Sequence, residues 1–124
     1  MKIIAVSQRV DEYPERGEVR DALDQRLTCF VATCGAILTP VPNLLNKNHI
    51  LLPWLNTVSP SGIILSGGED MGICLERDHS EKTLLEYAEL LRLPVLGICR
   101  GAQVIAARAG SKINPIEGLS LIHI

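Results

Sequence analysis

Cys99 stands in Gly97-Ile98-Cys99-Arg100-Gly101, between an apolar run and an Ala-rich segment. This is the cysteine version of the G-x-S-x-G pattern, in which a strained strand-to-helix turn lifts a nucleophile clear of a sheet. The glycines two residues to either side leave room for neighbouring backbone to pass. The sulfur falls at a helix N-terminus, a setting that favours thiolate. A competing reading is a buried cysteine that ends a strand, with the glycines serving helix–sheet packing. The full run Pro94-Val95-Leu96-Gly97-Ile98-Cys99-Arg100-Gly101-Ala102-Gln103 favours the nucleophile.

A second break, Ser66-Gly67-Gly68-Glu69-Asp70, ends the apolar run Gly62-Ile63-Ile64-Leu65. Paired glycines let backbone N–H groups come close to a ligand, as an oxyanion hole requires. With the N–H of Arg100, that of Gly67 or Gly68 could hold the oxygen of a tetrahedral intermediate. Taken alone, the segment is better explained as an ordinary Gly-Gly turn. Phosphate cradling fits poorly, because neither G-x-G-x-x-G nor G-K-[ST] is present.

Both breaks need a rigid frame, and the apolar spacing supplies one. Residues 3–6 read as a strand buried on both faces, and 7–17, with Pro14, as a loop. Val19, Leu23, Leu27 and Val31 recur at helical spacing over 18–34, with Gly35 as the stop. A second strand spans 36–39 and ends at Pro40. Leu51, Leu52, Trp54 and Leu55 suggest a short helix limited by Pro53. Residues 62–65 form a third strand. Ser80 would cap a helix over 81–92, and Pro94 opens a fourth strand at 95–98. Residues 101–109 are helical, with Gly110 as cap, and Ile113 starts a fifth strand. Strands alternating with helices predict an α/β fold, a three-layer αβα sandwich around a parallel sheet. Functional groups in such sheets gather at the carboxyl ends of strands, where both glycine breaks lie.

The 124 residues suffice for one domain. Twelve basic and fourteen acidic side chains leave a net charge near −2, which argues against nucleic acid or anionic membrane as the main partner. Apolar residues reach 47% and aromatics 3%, so the core must be aliphatic. Residues 2–9 are too short an apolar run for a signal peptide or a membrane span, which makes the cytoplasm the default compartment. Cys29, Cys34 and Cys74 show no C-x-x-C spacing and no histidine cluster, so they are expected as buried free thiols. No metal or cofactor motif is present.

Ile64-Leu65-Ser66-Gly67-Gly68-Glu69-Asp70, Glu76-Arg77-Asp78 with Glu81, and Leu96-Gly97-Ile98-Cys99-Arg100-Gly101-Ala102-Gln103 together resemble the class I glutamine amidotransferase-like proteins. Among these the sequence is most similar to the peptidase C26 branch, which includes γ-glutamyl-γ-aminobutyrate hydrolase. Ser7-Gln8-Arg9-Val10, Gly17-Glu18 and Arg20-Asp21-Ala22-Leu23-Asp24 resemble the narrower group that contains the γ-glutamyl-CDP-amidate hydrolases. The resemblance implies a flavodoxin-like parallel sheet. It also implies that Cys99 attacks a γ-glutamyl carbonyl and forms a thioester that water hydrolyses. Gly68 and Arg100 would supply the oxyanion hole, Gln103 would help position the glutamyl group, and Glu69 and Asp70 would line the mouth. Asp78 and Glu81 are expected as a solvated helix start near the dipole. Arg9, Arg16 and Arg20 are candidates for a substrate phosphate, although arginines in a polar loop are usually just exposed. No cofactor is implied; the partners implied are a small γ-glutamyl substrate and either a homodimer or a synthetase.

The same resemblance requires a histidine base oriented by glutamate, as His-x-Glu, near the end of the domain. His49 and His79 read as surface residues. His123 lies in Leu119-Ser120-Leu121-Ile122-His123-Ile124, which back-translates as CTG TCT CTT ATA CAC ATC, the transposon mosaic end of sequencing libraries. The expectation is therefore that 1–118 is the N-terminal portion of the domain, that 119–124 is translated adapter, and that the base lies beyond Gly118. Such a piece alone would be poorly soluble and inactive.

Overall fold

The computed structural model describes residues 1–68 and 72–110, together with the backbone of two short strands at Asn114–Pro115 and Ile122–His123. The chain opens with β1 (Lys2–Ser7), then β2 (Arg9–Tyr13), β3 (Glu18–Ala22) and α1 (Gln25–Thr33). Next come β4 (Ala36–Val41), α2 (Leu44–Lys47), α3 (Leu51–Val58) and β5 (Gly62–Leu65). The long α4 (Leu75–Leu91), the short β6 (Val95–Gly97) and α5 (Arg100–Arg108) follow.

Four of these strands form one parallel sheet in the order β4-β1-β5-β6. Counted along the sheet, that is second, first, third, fourth, the flavodoxin-like order, with its switch point between β1 and β5. Alternation sorts the side chains to two faces. Ala5, Ile63 and Leu65 pack with Leu51 and Leu55 of α3 and Leu84 and Ala88 of α4, and with Val104 and Ile105 of α5 at the margin. Val6 and Ile64 point the other way, onto Val31 and Leu27 of α1. The sandwich and the parallel sheet are as the sequence predicts.

Several local expectations are overturned. Residues 7–17 are not a loop: β2 and β3 make an antiparallel hairpin, turned at Gly17 with φ 64°. The helix expected over 18–34 begins only at Gln25, because the Asp24 carboxylate accepts the Arg26 N–H at 2.9 Å and caps it there. Val19, counted on the helical face, is 68% exposed on the hairpin. The hairpin is held to the domain by Asn43, whose N–H and side-chain amide both donate to Asp21. The second strand runs through Pro40 to Val41, as an edge strand can, because no ladder bond there needs the proline nitrogen.

The helix expected at 81–92 starts at Leu75, and Ser80 lies inside it, donating its hydroxyl to the Asn43 carbonyl at 3.0 Å. Cys29 and Cys34 are exposed and Cys74 is half-buried, against the expectation of buried thiols. Among the residues of α1, Val31 is buried against the sheet, so Cys29 is left facing water. The fifth strand expected from Ile113 begins at a position outside the described residues. Among those described, no helix is long and apolar enough to cross a membrane.

Candidate active site

Cys99 sits between the end of β6 and the first residue of α5, exposed, with φ 52° and ψ −110°. That region is costly for any residue with a Cβ, by about 1–3 kcal/mol, and persists only where the surroundings enforce it. The surroundings are visible. Ile98 donates its N–H to the Leu65 carbonyl at 2.9 Å, and Gly101 donates to Ile98 at 2.9 Å. A Cβ on Gly97 would lie 2.6 Å from the Gly101 carbonyl carbon, and one on Gly101 would strike the Leu65 carbonyl. The two glycines thus let α5 press its first turn against β5 and β6. This is the packing role of the competing reading, and its consequence here is the strained corner that exposes the sulfur.

The Ser66–Gly68 segment leaves β5 alongside that corner. A Cβ built on Gly67 would lie 3.7 Å from that of Cys99, an ordinary contact distance, so the two backbones run side by side. Gly68 has φ 141° and is crowded, with Arg9 2.9 Å from the position of a Cβ. A cavity of about 560 Å³ opens here, lined by Cys99, Gly67, Gly68, Ile98, Leu27 and Arg9. Of the three arginines considered for a phosphate, Arg9 lines this cavity, with its Nε 2.8 Å from Asp11. Arg20 instead pairs with Glu18 and lies over the Tyr13 ring. A more apolar hollow of about 310 Å³ lies at the amino-terminal ends of the strands, near Ile4 and Phe30, away from the end where parallel sheets place their sites.

Asp24, at the rim, has its carboxyl lowered to about 2 by hydrogen bonds from the side chain and backbone of Arg26. Gln103 is buried on α5 at 8% exposure, and its N–H donates to the Cys99 carbonyl at 3.3 Å. Glu69 and Asp70 lie outside the described residues, as do residues 119–121 and 124 and the side chains of Ile122 and His123. His49 and His79 are exposed, and neither lines the cavity. Among the described residues no group of His, Cys, Asp or Glu is placed to hold a metal.

Beneath the turn the structure corrects the expected solvated helix start. Glu81 is fully buried, and Asp78 is partly so. Arg100 pairs with both carboxylates. Arg77, also fully buried, lies 3.5 Å from Glu81 and donates to the carbonyls of Ser66 at 2.8 Å and Gly67 at 3.0 Å. Ser7 donates its hydroxyl to Glu81 at 2.7 Å and accepts the Ser66 N–H at 3.0 Å. Sequence reasoning missed Ser7, Ser66 and Arg77 as members of this cluster. The i,i+4 spacing of Arg77 and Glu81 was its one visible signal.

Fold and site together define a parallel α/β domain with an exposed cysteine on a strained strand–helix turn, flanked by a glycine-rich loop. The family model described as peptidase C26 matches residues 2–120, and the chain belongs to that family. It is 43% identical over 61 residues to a gamma-glutamyl-CDP-amidate hydrolase of Campylobacter jejuni, covering 44% of this chain and 30% of that protein. It is also 34% identical over 84 residues to one subunit of a glutamine-hydrolysing GMP synthase of Methanothermobacter thermautotrophicus, covering 68% and 41%. The corresponding subunit of Thermococcus kodakarensis is 36% identical over 67 residues, covering 54% and 34%. The chain thus spans well under half the length of each of these relatives.

Proposed function

We propose that the protein hydrolyses a γ-glutamyl amide with Cys99 as nucleophile. The observation that carries this reading is the Cys99 backbone, held at φ 52° and ψ −110° with the thiol exposed beside the Ser66–Gly68 loop. A cysteine serving only packing would gain nothing from that strain. Membership of the peptidase C26 family and the names of the relatives support the same substrate class.

On this reading the turn is a nucleophile elbow. The thiolate attacks the γ-carbonyl carbon, a C–S bond forms, and the π electrons move to oxygen. The N–H groups of Arg100 and of Gly68 or Gly67 would receive that oxyanion; one such donor is worth about 2.7–4 kcal/mol of barrier. When the oxyanion collapses, the C–N bond breaks and the amine leaves with a proton from the histidine. Water then attacks the thioester while the histidine takes its proton. The C–S bond breaks, the thiolate returns and glutamate is released. The base, a histidine oriented by glutamate, would come from outside the described residues. Gln103 would help position the glutamyl group, and Asp70 would line the mouth. The chemistry calls for no cofactor.

The test is hydrolysis of glutamine and γ-glutamyl amides by the full-length protein, with mass spectrometry of Cys99 during turnover. A γ-glutamyl adduct on Cys99, and loss of both adduct and activity in Cys99→Ala, are expected. Undiminished turnover in Cys99→Ala would overturn the reading.

The similarity to GMP synthase subunits favours a second reading, a glutaminase that passes ammonia to a synthetase partner. Ammonia release by the isolated protein supports the first reading. Release that appears only with a synthetase supports the second.

A further inference from the structure

Glu81 is linked to both halves of the candidate oxyanion hole, directly to the Arg100 side chain and to the Ser66–Gly68 loop through Ser7 and Arg77. One carboxylate oxygen accepts from Arg100, the residue after Cys99. The other accepts the Ser7 hydroxyl at 2.7 Å and lies 3.5 Å from Arg77. Ser7 and Arg77 are the groups that hold the loop: Ser7 accepts the Ser66 N–H, and Arg77 donates to the Ser66 and Gly67 carbonyls. The hydroxyl of Ser66 closes the circuit by donating to the Ser7 carbonyl. Glu81 and Arg77 are 0% exposed, Arg100 and Ser7 2%, and Ser66 3%. The cluster lies at the carboxyl ends of β1 and β5, the switch point of the sheet.

A buried ionic cluster is a poor way to gain stability, because apolar packing of equal volume serves as well or better. Its worth lies in fixed geometry. Here it ties together the two backbone segments that leave the paired ends of β5 and β6, beyond the bond from Ile98 to Leu65. We propose that Glu81 is a positioning residue that sets the spacing between the Ser66–Gly68 loop and the Cys99–Arg100 turn, and thereby the oxyanion hole. The inference rests on the hydrolase reading above. Oxyanion donors act over a narrow range of distance, and a displacement of about 1 Å can cost about 100-fold in rate.

The experiment compares wild type, Glu81→Gln and Ser7→Ala in the full-length protein, with Glu89→Gln as a surface control, since Glu89 pairs with Arg108 in water. Three quantities are read: kcat and KM for γ-glutamyl amide hydrolysis, the rate at which iodoacetamide alkylates Cys99, and Tm. Alkylation displaces iodide by the sulfur and needs no oxyanion donor. Glu81→Gln is expected to lower kcat by about 10–100-fold with KM within about threefold and alkylation nearly unchanged. Ser7→Ala removes the hydroxyl that joins Glu81 to the Ser66 N–H, leaves the other contacts of Glu81 in place and is expected to lower kcat by a smaller factor in the same pattern. It carries the test if Glu81→Gln does not fold. Wild-type kcat in Ser7→Ala and in folded Glu81→Gln, at lowered Tm, would overturn the inference and leave the hydrolase reading standing. A wild type that hydrolyses no γ-glutamyl amide would bring down that reading and this inference with it.

Discussion

Glu81 of α4 and Arg100 of α5 form a salt bridge out of reach of solvent, with side chains 0% and 2% exposed. Truncating one partner of such a pair strands charge in a low-dielectric interior, which costs about 3–5 kcal/mol. Glu81→Ala removes the carboxylate that Arg77 and Arg100 share, while Arg100 keeps Asp78 and Arg77 keeps the Ser66 and Gly67 carbonyls, so the loss is expected at the lower end of that range, about 3 kcal/mol. The exposed pair of Lys47 and Glu76, 3.9 Å apart, offers the contrast, and Glu76→Ala should cost less than about 1 kcal/mol. Urea denaturation of the two variants measures both. Equal losses would mean that the buried cluster is better hydrated than its geometry indicates.

The backbone of Cys99 sets stability against chemistry. Glycine reaches φ 52° and ψ −110° without a Cβ clash. Cys99→Gly should therefore raise stability by about 1–2 kcal/mol, the released strain less the extra unfolded-state entropy of glycine. On the proposed mechanism the same change removes the nucleophilic sulfur and should abolish hydrolysis. A higher Tm in an inactive Cys99→Gly protein is the expected result, and an unchanged or lower Tm would argue that the turn carries little strain.

Gly101 allows that turn to form. A Cβ there would overlap the Leu65 carbonyl, which is backbone and cannot swing aside. Gly101→Ala is expected to cost about 3 kcal/mol, the upper end of the overpacking range, by forcing α5 off β5. At Gly17 an added Cβ meets nothing within 4 Å, and the penalty is only the left-handed φ of 64°, about 1–2 kcal/mol. Thermal denaturation of the two alanine variants should rank them in that order, and Gly101→Ala should also lose activity.

The sheet was legible because its strands are short apolar runs bounded by glycine and proline, and buried parallel strands have no other sequence signature. The Cys99 turn was legible because its glycines are required within five residues of chain. The β2–β3 hairpin was not. Val19, Leu23, Leu27 and Val31 keep a helical spacing that runs through a strand, and the Asp24 cap that divides them is a single residue. The cluster under the turn was the least legible part. Ser7 on β1, Ser66 after β5, Arg77 and Glu81 on α4, and Arg100 on α5 come from four parts of the chain, and partners are up to 74 residues apart in sequence. A charged residue on a helix is read as solvent-facing unless its partner is known, and only the packing of α4 and α5 beside the switch point supplies the partner here.

Asp24 links the pH dependence of folding to the rim of the cavity. Its carboxyl is lowered to about 2 by hydrogen bonds from Arg26, against about 3.9 in an unfolded chain. Between those values the folded protein binds fewer protons than the unfolded one, so stability rises with pH across that window. The contribution of Asp24 is complete above about pH 5 and is lost as pH falls through about 4 to 2. Asp24→Asn keeps a capping side chain but removes the titration. The stability difference between wild type and Asp24→Asn should be constant from about pH 5 to 7 and shrink below about pH 4. Because Asp24 is exposed, added salt should reduce the difference at every pH. A difference that persists undiminished to about pH 2 would show that the Arg26 bonds do not survive in solution, and that α1 is capped at the cavity rim by geometry alone.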